Sequence, residues 1–346
     1  MDLKDLTGLS SVGKALAKLV DAVQSGVGAV AQPWLLKRNA RAQVEVNKIK
    51  LLGQQELETL RRALPPAPSG GDEIIVVLEE PVPALTQRAH ARADYQEAKR
   101  QVNVEEIVFE AHEQLKDVPD AEVSDEPLDD DWTARFFTGA QDISSDQMRK
   151  LWAKVLAGEV KRPGSFSLRC LETMRNISGR EAEVFEKTAG YVTGGNQIIQ
   201  GVNPGDRSRL FFAHSGLTLA NMLTLEEAGL VISSGAGLAW PLAFQDANPV
   251  YFTYRDVALR VIPKPSTTWS LPVVRLTEAG KQLATIVKPN ADRNYLKAIR
   301  DRLIVRGYTA SLHKVSRRLS KTGIQCSELE IDGDDMAPEG PEASST

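Results

Sequence analysis

The chain has 346 residues, 42% of them hydrophobic and 25% charged, with a formal charge of −4. That is an ordinary globular composition, long enough for two or three domains, and it excludes a nucleic-acid-binding polycation. Cys170 and Cys326 stand far apart without CxxC spacing, which argues against a disulfide framework or a cysteine zinc site and fits a reducing cytoplasm.

The first element in chain order is an apolar stripe, Leu9, Val12, Leu16, Leu19, Val23 and Val30, with Gly26 in its one gap. Its spacing of three and four residues predicts an amphipathic helix. Such a face has to pack on another copy, on the body of the protein or on a membrane surface. Pro33 is expected to end or kink the helix. Trp34 then sits beside Lys37, Arg38 and Arg41, the pattern of an interfacial anchor. Residues 1–64 carry ten Lys and Arg against six Asp and Glu, so this end is the basic pole of an acidic chain. Asp2 and Asp5 stand where a leader would be basic, and no apolar run is long enough to span a bilayer, so neither a leader nor a span is expected. Residues 39–64 read as a polar stalk helix, and 65–82 as a Pro/Gly linker with a short apolar run, Ile74 to Leu78.

Residues 83–192 read as a central helical bundle. Pro83 to Leu115 forms one long helix or two, with its apolar stripe at Val104, Ile107, Val108, Ala111 and Leu115. Residues 117–131 hold eight Asp and Glu and no Lys or Arg. An acidic run before a helix is a solvated segment that favours the helix N-terminus, and its spacing fails the calcium-loop pattern. Helices are expected over Trp132 to Ala140, over Gln147 to Ala157 with Gly158 stopping or bending it, and from Leu168 to Met174. Ser178 and Glu181 form a capping box for a further one. Trp132, Phe136, Phe137 and Trp152 are core residues in this reading.

The segments EVSDEPLDDDWTARFF, ISSDQMRKLWAKVLAGEVKRPGSFSLRCLETM and ISGREAEVFEKTA resemble a bacterial family defined only as a domain of unknown function. Its members share a helix of the LxKLVDAVQSGVGAV type, a basic helix after Pro-Trp or Pro-Arg, and a DEPxDxDW…LWAxxLAGExxxPGSFSLRxLE core. PGSFSLR (Pro163 to Arg169) is the most recognisable element. The N-terminal organisation is also similar to that of an abortive-infection family of alpha type. The resemblance implies lineage and no catalytic residue.

Residues 193–290 read as an α+β unit. Within Leu217 to Val231, the phrase LTLEEAGLV resembles the way winged-helix domains finish a helix and enter the wing, and LTEAGKQL (Leu276 to Leu283) resembles their strand-then-helix phrase. Tyr251 to Ile262, between the two phrases, is rich in β-branched and aromatic residues and predicts strands. The helix of the first phrase carries Glu226 and Glu227 and no Lys or Arg, so this unit is expected to meet protein rather than DNA. Residues 291–325 read as a small helix-strand extension. Its Arg300, Arg306, Lys314, Arg317 and Arg318 form a basic patch that could meet nucleic acid or simply solvate a surface. Residues 326–346 read as a disordered acidic tail.

The search for chemistry returns little. His90, His112, His214 and His313 share no metal-ligand spacing, and no nucleophile elbow, phosphate loop or dinucleotide fingerprint occurs. Arg169 beside Cys170 could lower its thiol pKa, but the residue reads as a buried cysteine. No catalytic residue, cofactor or metal is expected. The fold class expected is mainly α with a smaller α+β part: N-terminal amphipathic and stalk helices, a central bundle and a winged-helix-like unit. The function expected is that of a non-enzymatic bacterial oligomeric interaction protein, cytoplasmic, with a phage- or stress-defence setting implied by the resemblance. Its copies would assemble through Leu9, Val12, Leu16, Leu19, Val23, Val30 and Trp34, with a further protein partner on the C-terminal unit. The alternatives are a nucleic-acid-binding regulator and an effector peripheral to the inner membrane.

Overall fold

The structure, a computed structural model, describes residues 13–27, 82–194, 196–202, 209–232, 238–243, 248–262, 268–287, 292–318 and 324–327. Leu9, Val12, Val30, Trp34, the stalk, the linker up to residue 81 and residues 328–346 of the acidic tail lie outside these residues, whereas Cys326, expected to begin the disordered tail, ends a strand. The chain is mainly helical, with two antiparallel sheets among the described residues. It divides into two compact units, Met1–Leu171 and Glu172–Thr346.

Unit 1 is helical: α1 (Lys14–Val27), α2 (Val82–Leu115), α3 (Asp130–Ala140), α4 (Asp146–Lys161) and the start of α5 (Leu168–Asn176). α2 is one continuous helix of 34 residues. Its stripe of Val104, Ile107, Val108, Ala111 and Leu115 is buried, as the helical spacing requires, and the helix packs on α4. Asp129 caps α3 by accepting from the Trp132 N–H at 2.7 Å, and Asp130 and Asp131 fill the first turn, where carboxylates favour the helix dipole. α4 does not end at Gly158 but runs on to Lys161. The glycine instead makes room for a ring: a Cβ there would lie 2.7 Å from Phe166.

α1 changes the reading of the N-terminal stripe. It packs on α3, α4 and α2, and Leu19 and Val23 are buried there, with Leu16 half-buried. A Cβ on Gly26 would overlap the Phe137 ring, so the gap in the stripe is filled by a side chain of the same unit. The described part of the stripe therefore covers the body of its own chain. Leu19 and Val23 are not available to a second copy or a lipid surface. Periodicity says that a face is buried and does not say against what.

Unit 2 continues from α5 to α6 (Gly179–Ala189), where Ser178 and Glu181 make both hydrogen bonds of the capping box. Then follow β1 (Gln197–Ile199), α7 (Arg209–Ser215), α8 (Leu219–Glu227), β2 (Val231–Ile232) and β3 (Leu238–Ala243). β4 (Val250–Tyr254) and β5 (Val257–Ile262) form a hairpin. After it come β6 (Thr268–Leu276), α9 (Glu278–Ala284), α10 (Arg293–Val305), β7 (Thr309–Arg318) and β8 (Ile324–Cys326). In the first sheet β6 is central, with β1 along one edge and β2 and β3 paired to it as well. The second sheet has the order β4-β5-β7-β8. The segment expected as a separate extension, 291–325, thus completes a sheet with the hairpin inserted between β3 and β6.

The two phrases that stand out in the sequence of this unit meet in space. Val231 pairs with Leu276 across the sheet. The Thr277 hydroxyl donates to the Gly229 carbonyl at 2.6 Å and accepts from the Gly280 N–H at 3.0 Å. A Cβ on Gly280 would run into the Leu230 carbonyl oxygen, so the glycine is required by a close backbone approach.

Candidate functional site

The PGSFSLR segment is a fastening. Glu159, near the end of α4, is buried, and its carboxylate accepts from the backbone N–H of Gly164 at 2.6 Å and of Phe166 at 2.9 Å. The Trp132 indole N–H donates to the Phe166 carbonyl at 2.7 Å. Burial holds the Glu159 carboxyl above its ordinary range, while the backbone N–H groups oppose that shift. Glu159 has no role in the sequence reading. Its signal is its place five residues before Gly164, the reach of a carboxylate folding back over a tight turn. Cys170 is fully buried, and burial, with the Glu159 charge, pushes its thiol up to about 12. Cys170 is thus the buried cysteine that the sequence reading expects, and a thiol held away from ionisation is a poor nucleophile.

The acidic run binds α1. Asp120 accepts from the Lys14 N–H at 2.7 Å. The Lys14 ammonium donates to the Val123 carbonyl at 2.8 Å and pairs with Asp125. Lys18 donates to the carbonyls of Ser124 at 3.2 Å and Glu126 at 2.6 Å. Its pKa is lowered, first by burial and then by Lys14. Among the described residues no group of His, Cys, Asp and Glu is arranged to hold a metal ion.

Unit 2 contains two histidine arrangements. His214 Nδ1 lies 2.7 Å from Asp292, the cap of α10, whose other oxygen accepts from the Asn294 N–H. Around this pair Tyr191 donates to the His214 carbonyl at 2.8 Å, Tyr254 donates to the Gly190 carbonyl at 2.6 Å, and Tyr295 donates to the Ile199 carbonyl. Burial pushes the Tyr191 phenol up to about 12, so its hydroxyl serves as a donor, and of the three bonds the one from Tyr295 ties α10 to β1. His313 Nδ1 lies 3.0 Å from the Ser327 carbonyl and Nε2 lies 2.8 Å from the Ser311 hydroxyl. A carbonyl only accepts, so Nδ1 carries the hydrogen and Nε2 accepts from Ser311. The ring is buried and fastens residue 327 onto β7.

The basic residues of the last segment lie on α10, at its C-terminal cap and on β7. Arg300 is held by Asp301 at 2.8 Å, with its side chain only 13% exposed. Arg306 stands just before β7, and Arg317 lies near its far end, about 26 Å along the strand at the usual rise per residue. Lys314 and Arg317 are exposed, and the Arg318 side chain lies outside the described residues.

Unit 2 also exposes large apolar side chains. On α8, Leu219 is 62% and Leu223 44% exposed. The next turn on the same side of the helix carries Glu226 and Glu227. At the end of α10, Ile304 is 49% and Val305 88% exposed, between Arg302 and Arg306.

These features define a mainly helical protein with a sheet-containing second unit. The chain belongs to the protein family of unknown function DUF2806, whose model matches residues 87–300. No curated protein and no solved structure matches it. Among the described residues no helix is long and apolar enough to cross a membrane.

Proposed function

We propose that this is an interaction protein whose second unit is a winged-helix variant that docks protein rather than DNA. The order α6, β1, α7, α8, β2 with β3, then β6, with β6 between β1 and β2, supports a winged-helix reading in which the β4–β5 hairpin enlarges the wing. The observation that carries the functional reading is the surface of α8. This helix stands where a winged helix reads DNA, yet it offers Leu219, Leu223, Glu226 and Glu227 and has no Lys or Arg. DNA affinity rests on cations facing phosphates, whereas an exposed apolar stripe with an acidic end suits a protein surface.

A photocrosslinking amino acid at position 223, installed in the full chain in cells, tests this. We expect a covalent adduct of protein mass, and no shift of a labelled DNA duplex by the purified chain even at low salt. DNA binding that weakens steeply with salt and is lost on Arg317→Glu with Arg318→Glu would overturn it in favour of the regulator. The defence setting is a proposal resting on the N-terminal likeness. Equal phage plaquing on cells with and without the gene, across a broad panel, would remove it.

A further inference from the structure

We propose that Ser311 and His313 act as a nucleophile and its base in the hydrolysis of carboxylic esters, on one face of the second sheet. The proposal is independent of the docking reading of α8. Ser311 and His313 stand two residues apart on β7, so the pleat puts both side chains on one face. The Ser311 hydroxyl lies 2.8 Å from His313 Nε2, and Nδ1 lies 3.0 Å from the Ser327 carbonyl. Since the carbonyl accepts from Nδ1–H, the Nε2 lone pair is aimed at the hydroxyl. Ser327 is itself fixed: its N–H donates to the Lys314 carbonyl at 2.8 Å, and its hydroxyl accepts from the Lys314 N–H at 3.1 Å. A hydroxyl bonded to a base that a third group orients is the arrangement that activates a serine, whatever the fold that carries it.

The neighbours of the pair suit this chemistry. Ala310 and Leu312 alternate with it along β7, point to the other face and are buried. Ser311 is half-buried, so a reactant can reach its oxygen, while the His313 ring is 8% exposed and shielded from water. Arg260 of β5 stands directly opposite Ser311, and Tyr251 of β4, 43% exposed, stands opposite Arg260. Opposite residues of an antiparallel pair share a face with their Cβ atoms about 4.5–5.5 Å apart, which sets a guanidinium beside the reacting oxygen. In the first step Ser311 Oγ attacks the acyl carbon and its proton passes to Nε2. The carbonyl electron pair moves onto oxygen, where the Arg260 cation offsets the charge. Collapse breaks the bond to the leaving alcohol, which takes the proton from Nε2, and the acyl group stays on Oγ. Water then attacks in the same way, giving its proton to Nε2, and Oγ recovers a proton as the acid departs.

Labelling of the full chain with a fluorophosphonate reads the nucleophile directly: Oγ attacks phosphorus, fluoride leaves and Nε2 takes the proton. The wild type should gain a single phosphonyl group, mapped by peptide mass spectrometry to Ser311, and should hydrolyse p-nitrophenyl acetate. Ser311→Ala should lose both reactions. His313→Asn keeps a donor near the place of Nδ1 and removes the base, so both rates should fall on the order of 10²–10⁴-fold while the fold is kept. Arg260→Gln should slow ester turnover by about 10²-fold. Matching circular dichroism melts check that the variants fold, and the wild-type peptide map decides the matter even where one does not. A wild type without an adduct on Ser311 would overturn the proposal, as would ester hydrolysis that survives in Ser311→Ala or is unchanged in His313→Asn. The pair would then be only a fastening of residue 327. The crosslink from position 223 bears on α8 alone, so either reading can fail without the other.

Discussion

Leu19 and Leu219 both lie on one-sided helices, yet Leu19 is 1% exposed and Leu219 62%. In unit 1 the amphipathic α1 meets the aromatic face of α3, and its lysines tie down the acidic run that follows α2. In unit 2 the residues fixing α8 are Met222 and Leu225 on its inner side, and the outer leucines stay open to solvent. An apolar stripe therefore marks a burial requirement, which the chain can meet internally or leave to a partner. Exposed apolar residues are not confined to unit 2, since Leu85 and Tyr95 on α2 are also open. They stand on a largely polar stretch of that helix, without the paired leucines that make a face of α8.

The sharpest way to break this comparison is to truncate both leucines. Leu19→Ala removes packing from a closed core and should destabilise the protein by about 2–5 kcal/mol, measured by urea unfolding. Leu219→Ala should change stability by no more than about 0.5 kcal/mol. Equal losses of stability at the two sites would end the distinction. Next in size is Glu159→Ala, which strands the buried N–H groups of Gly164 and Phe166 and should cost about 3 kcal/mol. Glu159 also has a pH signature. Its folded pKa is raised, so the folded state holds a proton more tightly than the unfolded state. Stability should then fall as pH rises from the ordinary glutamate value through the raised one. Glu159→Gln should flatten that slope, and a slope unchanged in the variant would assign it elsewhere. Gly280→Ala follows, at about 1–3 kcal/mol, because the Leu230 carbonyl it would meet is backbone and cannot swing aside.

Local features were legible before the structure. The α2 stripe, the Ser178–Glu181 capping box and the strands of Tyr251 to Ile262 each depend on residues a few positions apart, and each formed. Contacts between distant residues were not legible. The one hint at Glu159 is its place five residues before Gly164, which a pattern search passes over, and His313 finds its partner carbonyl fourteen residues away. Gly158 misled for the same reason. A glycine near a helix end reads as a stop, and only the position of Phe166 shows that it is there for space.

The smallest expected effect concerns the lysines that join α1 to the acidic run. Lys18 binds two backbone carbonyls, and its pKa is lowered by burial and by Lys14. The folded state therefore releases this proton more readily than the unfolded one. The sign follows: as pH rises from the lowered folded value toward the ordinary lysine value, the unfolded state retains more protons and stability rises slightly. Lys18→Met should remove that rise while leaving the neutral-pH melting temperature nearly unchanged, because the site is half-exposed and water can replace the ammonium at both carbonyls. A large loss at neutral pH would mean that these lysines, and not the apolar stripe, hold α1 in unit 1. The comparison between Leu19 and Leu219 would then rest on charge instead of burial.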